Sequence, residues 1–286
     1  IESTGISEPV PVAQTFSFID ENNSIDLSKF SYIDTMVTVV DALNFLKDFG
    51  SPQRLKDRKL SDIEGDDRTI VNLLTDQIEF ANVIIINKCD LISKKHLELL
   101  KSIITKLNPG SKIIESKFSK IDISEIIDTK LFDFAKAEQS AGWIAELNKE
   151  EHTPETEEYG ISSFVFRSKK PFHSDRFWRY VQNKFSSSII RSKGLFWLDS
   201  RPEQAISWSQ AGGSLRADSA GVWWGSMPFE KRIEQQAFVE NQKMIEEKWD
   251  KNFQDRKNEI VIIGIEIDDK KIKSELEMCL LTDLEL

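Results

Sequence analysis

The chain has 286 residues, 40% of them hydrophobic and 30% charged, which is an ordinary globular composition with enough residues for two domains, each with its own core. Its net charge of -10 opposes attraction to nucleic acid or to an anionic membrane, because both need clustered Lys and Arg, and neither is an expected partner. The two cysteines, Cys89 and Cys279, are too few for a disulfide framework, and no apolar run approaches the roughly 20 residues that span a bilayer, so we expect a cytoplasmic protein.

The chain opens at Ile1 rather than at Met, so we expect that a segment upstream is missing. Its first residues have the pattern that follows a strand: the carboxylate of Glu2, small hydroxyl residues, and then Gly5. In nucleotide sites such a carboxylate can hold Mg²⁺ or its water, and a Gly lets backbone N–H groups approach a terminal phosphate. Taken alone, these residues are better explained by a solvated terminus before a helix that starts at Pro9.

Three apolar runs predict the strands of a parallel sheet. They are Met36–Val40, Val83–Ile86 and Lys112–Glu115. The uninterrupted, β-branched run Val83–Ile86 is typical of a strand that helices cover on both faces. Helices are predicted in residues 42–49, 67–78, 93–107 and 121–134. This alternation of strand and helix predicts a doubly wound α/β domain.

The segment Asn87-Lys88-Cys89-Asp90 directly follows the second predicted strand. Open α/β sheets bind their ligands at the carboxyl ends of such strands. An ionised carboxylate only accepts hydrogen bonds, so Asp90 can accept one from the ring N–H and one from the amino group of a guanine. Asn87 would tie neighbouring loops together, and the stem of Lys88 would cover the base. A polar turn before the next helix is the alternative interpretation.

Ser116 and Lys117 follow the third predicted strand and are candidates for a second guanine contact, although both residue types are common in loops. The acidic stretch 148–159 is poor in apolar residues and predicts a linker. We therefore expect a first domain in residues 1–150, a linker in 151–159 and a second domain in 160–286. His152 lies among glutamates of this linker, where it could contribute to a Zn²⁺ site or be incidental.

The second domain has a different pattern. Short apolar runs predict strands at 161–166, 194–198, 205–209, 214–217 and 259–267. Helices are predicted from Ser174, which would cap the first of them, and over 235–256 and 268–281, so this domain is α+β. Its many tryptophans could form an aromatic binding face, but without accompanying basic residues a core is the favoured interpretation. They are Trp178, Trp197, Trp208, Trp223 and Trp224.

Together these residues resemble the CobW-type GTPases, and more narrowly the zinc-homeostasis branch of that family. The resemblance runs nearly end to end, in separate segments that occur in the right order. The segments are Glu2–Pro9, Pro11–Gln14, Asp67-Arg68, Asp76–Glu79, Asn87–Asp90, Glu157–Ile161, Pro171–His173, Arg191–Gly194 and Cys279–Asp283. It implies an incomplete doubly wound P-loop-type GTPase domain followed by a smaller α+β carboxy-terminal domain.

The chain departs from the family at one point. Members begin with a phosphate-binding loop, Gly-x-x-x-x-Gly-Lys-[Ser/Thr], followed by a Cys-x-Cys-Cys metal motif, and neither occurs in these 286 residues. Because that loop drives hydrolysis, we expect this chain alone to be inactive and to need the missing amino-terminal segment of the same protein.

For the complete protein, the resemblance implies a GTPase that uses Mg²⁺ and delivers zinc, or a related divalent metal, as cargo to a client protein. In this chain Asn87, Lys88 and Asp90 would then select guanine. Glu2 would hold Mg²⁺ directly or through water, and Gly5 would sense the γ-phosphate. The alternative is a non-catalytic, partner-binding or regulatory protein that keeps the GTPase scaffold.

Overall fold

The computed structural model describes residues 1–2, 7–17, 29–51, 53–54, 57, 69–148 and 160–286. The chain divides into two compact units. The first comprises Ile1–Ile161 with Ala211–Ser214, and the second comprises Ser162–Gln210 with Leu215–Leu286. The predicted linker, residues 151–159, lies outside the described residues, so the predicted domain limits stay predictions.

A parallel sheet forms the centre of the first unit. Its strands, in the spatial order β1-β2-β3, are β1 Val37–Asp41, β2 Val83–Asn87 and β3 Lys112–Glu115. Val83 to Ile86 are all buried, as their apolar run predicts. The register pairs Asp41 with Asn87 and Ile86 with Glu115, so the polar ends of the three strands lie at one edge of the sheet.

Helices flank this sheet in sequence. They are α1 Pro9–Ser17, α2 Phe45–Phe49, α3 Ile70–Glu79, α4 Lys94–Leu107, α5 Phe134–Gln139 and α6 Gly142–Leu147. Ser93 caps α4 as predicted, because its hydroxyl accepts a hydrogen bond from the backbone N–H of His96 at 3.2 Å. The apolar stripe of α4 faces the core, with Leu100 and Ile104 fully buried.

The helix predicted over residues 121–134 is wrong. The structure has only a 3₁₀ turn at Ile123–Glu125, and α5 begins at Phe134. The carboxylate of Asp34, which is distant in sequence, accepts hydrogen bonds from the backbone N–H groups of Thr129 and Lys130 at 3.0 and 2.7 Å. Lys130 itself has a positive φ of 55°. A tertiary contact therefore holds this segment as a loop.

Asn108 at the end of α4 is buried and fastens that helix to the turn between α3 and β2. Its Nδ2 donates to the carbonyl oxygens of Ile78 at 2.7 Å and Ala81 at 2.9 Å. Its Oδ1 accepts from the N–H of Gly110 at 3.2 Å. The side chain thus satisfies buried backbone groups at a turn of the first unit.

The second sheet has the spatial order β4-β8-β5-β6-β7. The strands are β4 Ile161–Ser168, β5 Ile189–Phe196, β6 Gln204–Ala211, β7 Ser214–Val222 and β8 Asn258–Ile265. The helices of this half are α7 Ser174–Asn183, α8 Phe229–Arg232, α9 Gln236–Glu247 and α10 Asp269–Glu277. The consecutive strands β5, β6 and β7 are neighbours in the sheet, and the last strand, β8, is inserted between them and β4, antiparallel to β5.

Three helices of the second unit have limits that differ from the prediction. The helix predicted over 268–281 ends at Glu277. The helix expected over 235–256 ends at Glu247, because the carboxylate of Asp250 accepts from the N–H groups of Asn252 and Phe253 at 2.8 and 2.9 Å and forms a turn. At α7, Ser174 is the first helical residue rather than the cap. The carboxylate of Asp199 accepts from its backbone N–H at 3.0 Å instead.

Aromatic side chains form the core of the second unit. Phe172, Phe177, Phe196 and Trp208 are at most 1% exposed. The ring centroid of Phe177 lies 4.4 Å from that of Phe172, 4.9 Å from that of Phe196 and 5.7 Å from that of Trp208. The core interpretation is therefore confirmed for Trp208, and Trp197 and Trp223 are buried as well, whereas Trp178 and Trp224 are only partly buried.

Candidate functional site

Asn87 lies at the carboxyl edge of the parallel sheet and joins the loops that follow β1 and β3. Its Nδ2 donates to Oγ of Ser119 at 2.9 Å, and its Oδ1 accepts from the N–H of Ser119 at 2.9 Å. Its carbonyl oxygen accepts from the N–H of Ala42 at 3.0 Å. This is the tie between loops that the sequence predicts for Asn87, whereas Ser119 had no recognisable signal in the sequence.

Lys88 adopts a left-handed backbone conformation, with φ 64° and ψ 30°. Its Nζ donates to Oδ2 of Asp41 at 2.7 Å, across the strand ends that the sheet register brings together. Left-handed conformations of residues other than Gly are uncommon and cluster at functional sites. The hydrogen bond to Asp41 holds the Lys88 side chain at the end of the neighbouring strand, and the sequence did not predict this contact.

Asp41 is the site residue that sequence reasoning missed. Besides the bond from Lys88, its carboxylate accepts hydrogen bonds from the backbone N–H of Leu43 at 2.9 Å and from Nδ2 of Asn44 at 2.8 Å. These bonds form a turn, so α2 begins at Phe45 rather than at residue 42 as predicted. Partial burial acts to raise the pKa of Asp41, but the hydrogen bonds of Lys88, Asn44 and Leu43 outweigh it and lower the pKa. The feature of the sequence that could have identified Asp41 is its position at the end of a predicted parallel strand.

Asp90 lies in a 3₁₀ turn, Cys89–Leu91, and is exposed. The turn is anchored by the backbone N–H of Cys89, which donates to the carbonyl oxygen of Ser116 at 3.2 Å. In the part of the chain that the structure describes, the Asp90 carboxylate has no hydrogen bond or ion pair. It is therefore able to accept hydrogen bonds from a ligand, as guanine recognition requires.

Ser116 and Lys117 differ in their surroundings. Ser116 is 4% exposed, and its hydroxyl donates to the carbonyl oxygen of Lys120 at 3.2 Å, so its side chain serves the loop. Lys117 is exposed, and its ammonium group forms no ion pair with any described residue. Phe118 and Ser119, which follow, both have positive φ values, 54° and 55°. A guanine contact of Ser116 or Lys117 stays a prediction.

Of the residues predicted to serve the phosphates or a metal ion, the structure describes only Glu2. Glu2 is exposed, and Gly5 and His152 lie outside the described residues. No group of three or more His, Cys, Asp or Glu able to hold a metal ion occurs within the described ranges. Mg²⁺ is usually bound by one or two carboxylates together with substrate phosphates, so a single carboxylate such as Glu2 is chemically compatible with that role.

These features define a nucleotide-binding α/β protein, with Asn-Lys-x-Asp at the carboxyl edge of a parallel sheet and an antiparallel α+β unit after it. The chain belongs to the CobW family. Residues 1–115 match the CobW/HypB/UreG nucleotide-binding domain, and residues 161–280 match the cobalamin synthesis protein cobW C-terminal domain. The predicted family and fold class are thus confirmed.

Several curated proteins are similar to this chain. "Zinc-regulated GTPase metalloprotein activator 1" of Dictyostelium discoideum is 39% identical over 289 residues, which cover 100% of this chain and 60% of that protein. The protein of the same name from Schizosaccharomyces pombe is 30% identical and covers 68% of this chain and 49% of its own length. "Zinc chaperone Rv0106" of Mycobacterium tuberculosis is 24% identical, with 89% and 58% covered. The chain therefore spans between 49% and 60% of these relatives.

Among solved structures, the crystal structure of Zn(II)-bound YjiA GTPase from E. coli aligns with 96% of this chain and 69% of that chain. The sequence identity is 16% and the TM-score is 0.33. In the described part of the chain, no helix has the length and apolar character needed to cross a membrane.

Proposed function

We propose that this chain is the guanine-recognising and carboxy-terminal part of a cytoplasmic GTPase that delivers zinc, or a related divalent metal, to a client protein. The names of the D. discoideum and M. tuberculosis relatives, a zinc-regulated GTPase metalloprotein activator and a zinc chaperone, support this proposal. Zinc is the cargo in this scheme and is not a resident structural metal.

The observation that carries the proposal is the Asp90 carboxylate, which has no partner in the described part of the chain and lies beside loops fixed by hydrogen bonds. Asn87 immobilises the loop after β3, and Asp41 holds the Lys88 side chain. A base entering between these groups would meet a carboxylate that makes no competing contact with the described residues. Two hydrogen bonds from guanine to one ionised carboxylate are charge-assisted and therefore stronger than those between neutral groups.

Hydrolysis requires groups that these 286 residues do not contain. No Gly-x-x-x-x-Gly-Lys-[Ser/Thr] loop occurs in the sequence, and such a loop positions the phosphates and Mg²⁺ in P-loop enzymes. In our proposal the rest of the protein supplies that loop. Glu2 would then add a carboxylate for Mg²⁺, and Gly5 would allow a backbone N–H close to the γ-phosphate.

Nucleotide specificity tests the role of Asp90. Xanthine carries a carbonyl where guanine has its amino group. Asp90→Asn replaces an acceptor by a donor and should therefore change the preferred nucleotide from GTP to XTP. In the protein extended by its upstream residues, we expect GTP affinity to fall about 100-fold or more and XTP binding to appear, measured with fluorescent nucleotides. The 286-residue chain without the extension should bind GTP weakly or not at all.

Asp128→Asn is the matched control, since Asp128 is exposed and pairs only loosely with Lys130 at 3.7 Å. It should leave both nucleotide affinities unchanged. Wild-type GTP affinity in the Asp90→Asn variant, or equal binding of ATP and GTP by the unaltered protein, would remove the role given to Asp90. Failure of the extended protein to bind any nucleotide would favour the non-catalytic alternative.

A further inference from the structure

The second unit contains a cleft of about 740 Å³ that nucleotide recognition does not use. This volume falls within the range of about 300–1,000 Å³ that ligand-binding clefts occupy. Its walls come from the end of β4, from Trp223-Trp224 after β7, from the last turn of α9 and from the residues that lead into β8. Four separate segments therefore build one concave surface.

One wall of the cleft is apolar. Trp223 is 6% exposed, and its indole N–H donates to the carbonyl oxygen of Gln204 at 3.1 Å, which fixes the ring. Trp224 packs against Phe238 with 5.2 Å between ring centroids, and its own indole N–H has no partner among the described residues. Met244 is 51% exposed. Rigid aromatic rings beside a pliable thioether suit the recognition of an apolar side chain.

Both carboxylates in the wall already have partners. Glu259 accepts from Nε of Arg167 at 2.9 Å and also pairs with Lys257. Asp255 accepts from the backbone N–H groups of Trp224 at 2.9 Å and Gly225 at 2.8 Å. Because protein groups occupy all four carboxylate oxygens, neither acid is available to a cationic ligand.

Two of the cations in the wall form no ion pair in the described part of the chain, although the charge of Asp250 acts on Lys169. The ammonium groups of Lys169 and Lys248 line the cleft and form no ion pair with any described residue. With Arg167 and Lys257, the wall holds four cations against two carboxylates, in a chain whose net charge is -10. This local excess of positive charge attracts a negatively charged occupant.

We propose that this cleft binds an acidic peptide segment of a partner protein. An aromatic or aliphatic side chain of the peptide packs against Trp224 and Met244, and neighbouring Asp or Glu residues pair with Lys169 and Lys248. A free small anion would leave the apolar wall unused, and two lysines without ion pairs are fewer than the clustered Lys and Arg that bind nucleic acid. Peptide binding here does not depend on the guanine site and identifies a partner-binding surface within the carboxy-terminal domain.

Panning a random peptide library on the immobilised 286-residue chain, without nucleotide, tests the proposal. We expect enrichment of peptides that combine Asp or Glu with Phe, Trp, Leu or Ile. A synthetic enriched peptide should bind the Lys169→Gln/Lys248→Gln variant about tenfold more weakly than the wild type, and raised salt should weaken its binding to the wild type. Trp224→Ala should weaken the same peptide without changing the salt dependence.

The matched control is Lys243→Gln/Lys270→Gln, which removes two exposed, unpaired lysines that do not line the cleft, one of them on α9 itself. It should bind the peptide within about twofold of the wild type. Circular dichroism and thermal unfolding establish that both double variants fold. Lack of enrichment, enrichment of basic or uncharged peptides, or equal binding by the two double variants would overturn the proposal. None of these results would affect the nucleotide titration.

Discussion

The two units differ in which polar groups their local structure leaves unpaired. At the edge of the parallel sheet, Asp41, Asn87 and Lys88 hold one another or nearby groups, whereas the carboxylate of Asp90 has no partner among the described residues. In the cleft of the second unit both carboxylates are bonded, and Lys169 and Lys248 form no ion pair with any residue that the structure describes. A ligand-facing group is therefore better identified by its lack of a partner than by its residue type.

The cores of the two units differ as well. The first is built on a β-branched aliphatic strand, Val83–Ile86, and its turns are fixed by buried polar side chains such as Asn108. The second is built on stacked aromatic rings around Phe177. We expect truncation of a core aromatic ring to cost the second unit the most stability. In the first unit we expect a substantial cost from the loss of a buried polar side chain that bonds a turn.

Phe177→Ala should have the largest effect. The ring is 1% exposed and contacts four other aromatic rings, so its removal leaves a cavity that costs about 3–5 kcal/mol of the free energy of unfolding. Urea unfolding followed by tryptophan fluorescence measures it. The control Phe229→Ala removes a ring that is 49% exposed and should cost less than about 0.5 kcal/mol. Equal costs for the two variants would contradict the aromatic core.

Asn108→Ala should have a smaller but substantial effect in the first unit. It takes the side-chain donor from the carbonyl oxygen of Ala81 and one of the donors from that of Ile78, which we expect to cost about 2–3 kcal/mol. Urea unfolding gives the cost, and amide hydrogen exchange should speed up at the turn between α3 and β2. Asn183→Ala, which removes one exposed hydrogen bond to Arg179, is the control and should cost under about 0.5 kcal/mol. If both variants unfold alike, Asn108 does not fasten the turn.

The sequence predicts best what local patterns determine. Val83–Ile86 is a buried strand in the structure, and Asn-Lys-x-Asp follows it at the edge of the sheet, because strand periodicity and topology are both local signals. The loop in residues 121–134 was mispredicted because Asp34 holds it from far away in sequence. Composition likewise could not separate buried Trp208 from Trp224, which lines a cleft, because burial depends on the packing of other segments.

The contact between Asp41 and Lys88 was invisible in the sequence for the same reason, and its contribution to stability should be the smallest of the three. Both side chains are about a third or more exposed, so Asp41→Asn should cost only about 0.2–1 kcal/mol. Removal of this carboxylate should also loosen Lys88 and weaken GTP binding in the extended protein, if Lys88 covers the base. Asp128→Asn serves again as the control for an exposed carboxylate.

The pH dependence of stability shows whether Asp41 acts through its charge or through the geometry of its turn. Because the folded-state pKa of Asp41 is lowered from its ordinary value of 3.8, its stabilising contribution is fully present above that value and is lost as the pH falls through the folded pKa. The stability difference between the wild type and Asp41→Asn should thus be constant from about pH 8 to pH 5 and should shrink below about pH 4. Urea unfolding of both proteins across this range measures it. A difference that persists undiminished at the lowest pH would mean that Asp41 acts through the geometry of its turn and not through its charge.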